Sequence, residues 1–277
     1  MKLISCQNGR ILTSLKSEER FDARQDVIAT GFGALDEIAP DGGFATGAIH
    51  ELISEKGKAR TFALMVSSLS LRERAGVRGF GYQTHFGISK SPHPNPSTAG
   101  SPRTMEGEGI RHGAIVFCDD QRDLYPPALA SFGIPLDHLY LLRSENHADR
   151  IWAITECLRC RGVSATIASI DSLSRIEARR LQLAAEQGGG MGFLLRPMVR
   201  TRNGLEAPPI YAAATRWLVA PEKGEPTVQR WKITLIHGHG GRVGNTVILE
   251  HCRETNTVRA VKKLVDRPLE TSVQKVG

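Results

Sequence analysis

No apolar run in the chain approaches the roughly 18 residues of a membrane-spanning helix. The N-terminus also lacks the continuous apolar core of a secretory signal. A cytoplasmic protein with no membrane partner is therefore expected. A disulfide framework is missing as well. The five cysteines, Cys6, Cys118, Cys157, Cys160 and Cys252, are odd in number and scattered, as suits a reducing compartment. Cys157 and Cys160 form C-x-x-C inside a helical pattern, and no second pair completes a tetrahedral centre, so no metal is expected. What remains is ordinary for a globular chain: 277 residues, 40% hydrophobic and 23% charged. That length allows one large α/β domain or two small ones. A net charge of +7 favours acidic partners, nucleic acid first.

The most informative absence is local. Residues Ala29 to Leu64 read as a lead-in turn, a glycine-broken loop, a strand over Ala48 to Ile53, a loop over Ser54 to Arg60, and a helix from about Thr61. Strand–loop–helix is how backbone N–H groups and a helix N-terminus hold a phosphate. The pattern G-x-x-x-x-G-K-[ST] puts Ser54 and Ala59 at the glycine positions, Arg60 at the lysine and Thr61 at the hydroxyl. Glycine is needed there because the backbone must take positive φ and approach the anion without a Cβ. Only Gly57 survives, off that frame, and a shift onto Gly57 and Lys58 meets Ala59 in place of Ser or Thr. Arginine meets phosphate as a planar fork rather than a compact point charge. Thr61 keeps a hydroxyl suited to Mg²⁺.

Along the chain, residues 1–28 hold an amphipathic segment (Leu3, Ile4, Ile11, Leu12, Leu15) expected as a helix. Thr61 to Ala75 carries Phe62, Met65, Val66 and Leu69 at core-facing helical spacing. From about 86 to 113, proline, serine and glycine replace apolar residues, and a disordered insertion is expected. Strands are expected at Ala114 to Cys118, His138 to Arg143 and Val163 to Ile170, with helices at Pro126 to Phe132 and Asp149 to Arg161. Asp119, Asp120 and Gln121 close the first of these strands, and Asp171 the third, at the edge where open α/β sheets bind ligands. Ser174 to Glu177 is a capping box opening a helix to about Gln187, with Arg175, Arg179 and Arg180 on its exposed face. The loop 198–209 is basic and mobile in character and carries Arg200 and Arg202. Two strands about the turn G-H-G-G-R-V-G form a hairpin, and the tail after Lys262 is expected to be loose. His237 and His239 in that hairpin read as turn residues, not metal ligands.

These residues together resemble the RecA family core. The lead-in Thr30-Gly31 with Leu35-Asp36, the Gly42-Gly43 and Gly47 turns, the strand into Glu51, the run V-F-C-D-D-Q-R-D-L-Y-P-P-A-L-A-S-F-G-I-P-L-D-H-L, and Asp171 carry the likeness. The altered phosphate loop, L-L-R-P at 194–197, A-A-A-T-R-W-L at 212–218 and G-G-R-V-G resemble more closely the ImuA family. The resemblance implies a RecA-like P-loop core over 29–262, a mostly parallel twisted sheet flanked by helices, with a C-terminal antiparallel β extension and a flexible tail at 263–277. It also implies SOS-induced translesion synthesis with ImuB and an error-prone C-family DNA polymerase, with RecA as a further partner.

Three departures from the RecA pattern coincide. The phosphate loop is degraded. The catalytic glutamate aligns with Gln121, an amide that takes no proton. The γ-phosphate-sensing glutamine falls at Arg196-Pro197. Together they remove charge stabilisation and water activation, the two things phosphoryl transfer relies on. The family's extra C-terminal DNA-binding domain is also not expected. The candidate nucleotide site is therefore Ser54, Gly57, Lys58, Arg60, Thr61, Gln121 and Asp171, degenerate, with ATP and Mg²⁺ as its ligands in principle and no cofactor favoured. The favoured expectation is a non-catalytic adaptor. Its partners are met by the N-terminal segment and by the helix face of Arg175, Arg179 and Arg180, and DNA by Arg200 and Arg202. The rivals are a weak DNA-dependent ATPase using Arg60, Thr61, Asp171 and Lys58, and a plain DNA-binding protein.

Overall fold

The computed structural model describes residues 2–7, 10–11, 27–55, 62–63, 113–122, 124–131, 136–202, 204–209, 212–223, 227–255 and 257–264. In chain order these form β1 (Lys2–Gln7), β2 (Arg10–Ile11), β3 (Val27–Ile28), α1 (Gly33–Asp36), β4 (Phe44–Ala45), β5 (Ala48–Ser54) and β6 (Ala114–Cys118). Then follow α2 (Pro126–Ser131), β7 (Leu139–Ser144), α3 (His147–Arg159), β8 (Val163–Ser169), α4 (Arg175–Gly188), β9 (Met191–Pro197), β10 (Val199–Thr201) and β11 (Gly204–Glu206). The chain closes with β12 (Thr215–Glu222), β13 (Val228–Gly238), β14 (Thr246–Cys252) and β15 (Thr257–Leu264).

Apolar residues at period two build one 11-stranded sheet, ordered β15-β14-β13-β12-β5-β9-β8-β6-β7-β1-β2. In β6, Ile115 and Phe117 face one cluster while Val116 and Cys118 face the other, and all four are buried. Both faces are therefore covered at the centre of the sheet, where β6 reads as a continuous apolar run, whereas β13 toward the margin alternates buried and half-buried residues. On one face lie α3 and α4, packed through Ile151, Ile154, Leu158, Leu181 and Ala185. The other face is covered by α1, α2, the β3–β4 ribbon, Phe62 and Ala63 with Trp217 and Trp231. Pairing is parallel from β12 through β1 and antiparallel at both margins.

The expected RecA-like core, a mostly parallel sheet flanked by helices, does not hold. The sheet is mixed and the described chain is strand-rich, and α3 and α4, the two long described helices, share one face. The N-terminal segment expected as a helix instead forms β1 and β2, because β1 finds a parallel partner in β7, Lys2 to Cys6 pairing with Tyr140 to Ser144. The loop expected at 198–209 is largely a ribbon, β10 against β11. The tail expected from 263 begins inside β15. The insertion expected near 86–113, except Gly113, and the helix expected from Thr61, except Phe62 and Ala63, lie outside the described residues.

Elsewhere the expected elements are present. The capping box at Ser174 is complete: Glu177 N–H donates to Ser174 Oγ at 3.3 Å, and Ser174 N–H donates to Glu177 Oε2 at 2.8 Å. Those bonds hold the Glu177 carboxyl below the usual carboxylate range. Gly189 ends α4 in the left-handed conformation at φ 76°. The lead-in turn is closed by Asp36, whose carboxylate accepts from Thr30 N–H at 2.7 Å and Thr30 Oγ1 at 2.5 Å.

Candidate functional site

The parallel strands β5, β9, β8 and β6 are successive neighbours, so their C-terminal ends bring Ser54, Pro197, Asp171 and Asp119–Gln121 to one edge of the sheet. Ser54 ends β5 and is buried, its Oγ donating to the Glu55 carbonyl at 2.8 Å. Gly57, Lys58, Arg60 and Thr61 lie outside the described residues. Gln121 and Asp171 are both exposed, in the turns that leave the adjacent strands β6 and β8.

The acidic pair ahead of Gln121 is committed elsewhere. Asp119 is buried, with Oδ1 accepting from Leu124 N–H and Oδ2 from Arg143, each at 3.2 Å. Asp120 accepts from Ser144 N–H at 2.8 Å and Ser144 Oγ at 2.9 Å, and meets Arg150 at 2.5 Å. Both carboxylates thus staple the end of β6 to β7 and α3 rather than facing open space.

Beneath the same edge sits a buried charge cluster. Glu51 of β5 receives Arg196 of β9 at 3.1 Å and Arg216 of β12 at 2.7 Å. Arg216 also donates to the Pro208 carbonyl. Among the described residues two guanidiniums meet one carboxylate there, and Arg196 Nε has no hydrogen-bond partner. Sequence reasoning placed Arg196 at a phosphate-sensing position; here it is a sheet-internal cross-tie. Glu51 within A-I-H-E-L-I, like Arg216 within T-R-W-L, is a charge set in an apolar run, which is the signal for a buried ion pair.

Arg200 lies on β10 and Arg202 in the turn after it, all on an exposed two-stranded ribbon whose Val199 and Leu205 are also exposed. The third predicted group does come together. Arg175, Arg179 and Arg180 line an open groove of about 500 Å³ with Arg159 of α3 and with Ile176 and Leu183 of α4. The sequence reading missed Ile176 and Leu183, although two apolar residues seven apart on a polar helix face would have given them away. Among the described residues no cluster of His, Cys, Asp and Glu could hold a metal ion, and no helix is long and apolar enough to cross a membrane. The rings of His237 and His239 meet edge to face at 5.7 Å.

Over 148 residues the chain is 30% identical to Protein ImuA of Caulobacter vibrioides, in strains NA1000/CB15N and CB 15 alike. The match supports the ImuA family. It covers 49% of this chain and 60% of the length of those ImuA relatives. No family model matches the chain.

Proposed function

We propose that the chain is a non-catalytic adaptor of damage-induced mutagenesis, acting with ImuB and an error-prone C-family DNA polymerase. The similarity to ImuA is what carries this reading. The sheet edge supports its non-catalytic half. Asp119 and Asp120 are tied to Arg143, Arg150 and Ser144, and the exposed side chain beside them is the amide of Gln121. An amide cannot accept the proton of an attacking water. The expected RecA contact rested on a shared shape, and the mixed sheet removes that ground.

Partners meet the groove face of Arg175, Arg179 and Arg180, and DNA meets the Arg200–Arg202 ribbon tip. The test is co-purification of ImuB with the full chain from a non-denaturing lysate. ImuB recovered well above an unrelated protein of similar charge supports the adaptor, and equal recovery rejects it.

One observation favours a second reading. Asp171 is an exposed carboxylate with no described partner at the end of β8, where a Mg²⁺-holding group would stand. A weak DNA-dependent ATPase would show ATP turnover with single-stranded DNA that vanishes in Thr61→Ala. The adaptor reading expects no turnover above background in either protein.

A further inference from the structure

The face of α4 that turns away from the sheet is neither a plain solvated surface nor a plain cationic one. Ile176 is 81% exposed and Leu183 47%, and they stand seven residues apart, two helical turns along one side. Arg179 and Arg180 lie between them, Arg175 sits at the helix start, and Arg159 reaches in from α3. The acidic side chains nearby are engaged. Glu156 holds Arg159 at 2.6 Å, Glu177 closes the capping box and meets His147 at 2.9 Å, and Glu186 accepts from Gln182. Among the described residues Arg179 donates to the neutral Gln182 at 2.8 Å, and Arg175, Arg179 and Arg180 meet no acid.

We propose that this groove docks an acidic amphipathic helix of a protein partner, one that seats leucine-sized anchors on Ile176 and Leu183 while its carboxylates meet Arg175, Arg179 and Arg180. The proposal deepens the partner-face reading above and rests on it. Two exposed apolar anchors at i and i+7 match the spacing by which a helix is read in a groove. A ring of arginines about an apolar centre is the composition of a protein interface core and rim. A nucleic-acid backbone would be met by the cations and would gain nothing from Ile176 and Leu183.

The experiment is selection of a random peptide display library, with inserts of about 16 residues, enough for four helical turns, on the immobilised full chain. Recovered peptides are expected to be rich in Asp and Glu, with Leu, Ile or Phe at helical spacing. Their affinity should fall about tenfold or more in Ile176→Ser/Leu183→Ser and in Arg179→Glu/Arg180→Glu, as for central interface residues. All four side chains are solvent-exposed, so unchanged far-ultraviolet circular dichroism and melting should accompany the loss. Failure to recover acidic peptides, undiminished binding to the double variants, or displacement of the peptides by oligo-dT would each overturn the proposal. ImuB co-purification with the same variants separates the two readings. Peptide binding at the groove without ImuB recovery sinks the cassette role alone, whereas ImuB recovery that ignores the variants, with no peptide selected, sinks the groove alone.

Discussion

At Glu51 two guanidiniums share one carboxylate that is 2% exposed. Removing that carboxylate strands Arg196 and Arg216 as uncompensated buried charges, a loss of about 3–5 kcal/mol. Glu51→Gln, nearly the same volume, should therefore shift the urea midpoint sharply or fail to fold, whereas Glu222→Gln, at an exposed position, should leave it within about 0.5 kcal/mol. The neighbouring residue carries a proton-linked term. His50 is fully buried between Phe44 and Phe193. Its Nε2–H donates to the Ala45 carbonyl at 2.9 Å, which leaves Nδ1 to accept from Thr215 Oγ1 at 2.7 Å. Thr215 in turn accepts from Trp217 Nε1–H at 2.8 Å. Burial pushes the imidazole down to about 4. A depressed histidine favours folding when neutral, so its contribution is intact above the unfolded value near 6.5 and fades as pH falls from there toward 4. Between pH 7 and pH 5 the chain should lose about 2 kcal/mol to this group. Paired urea titrations of the wild type and His50→Gln check it: the variant should be weaker at pH 7 and show a flatter slope across that interval. A slope unchanged in the variant would refute the assignment.

Among the elements, α4 was legible almost to the residue because its signals are local: a capping box at one end and glycines at the other. What the glycines do is not legible. A Cβ on Gly188 would stand 1.9 Å from the Leu158 carbonyl oxygen, so α3 and α4 cross where only glycine fits. Gly188→Ala should cost upward of about 2 kcal/mol through forced separation of the helices, although alanine favours helix more than glycine does. Gly189→Ala, strained by its φ of 76° but meeting no atom, should cost about 1 kcal/mol. Thermal or urea unfolding of the two variants ranks them, and the reverse order would show that the crossing adapts. The N-terminal strand was misread because Leu3 and Ile4 are adjacent and fit either period. Pairing with β7 decides between them, and that pairing spans more than a hundred residues of sequence. The ribbon β10–β11 escaped notice since three-residue strands carry no periodicity. Glu51, Arg196 and Arg216 were each visible as letters, yet separations of 145 and 165 residues hid their meeting.

For the molecule as a whole, the positions of the central strands and the C-terminal hairpin were readable from apolar runs bounded by turns, whereas the RecA-like, mostly parallel arrangement was inherited from motif order. Motif order does not fix how many strands join a sheet or which face the helices take. The basic balance of +7 makes one prediction at this scale. If the ribbon tip meets phosphates, Arg200→Ala and Arg202→Ala should each flatten the salt slope of oligo-dT binding by about one unit. Fluorescence anisotropy across a salt series measures it, and unaltered slopes would remove the ribbon from the interface. The sheet's outer margin has its own consequence. Its last strand, β15, runs for eight residues with Arg259, Lys262 and Lys263 in its sequence. Arg259 shares the Glu250 carboxylate with Arg230, and the two together hold that carboxyl below its usual range. Among the described residues β14 is the one strand paired with β15, and a second copy laid along β15 would set one basic sequence against another. A margin of that composition acts as a deterrent to fibrous stacking of one copy on another.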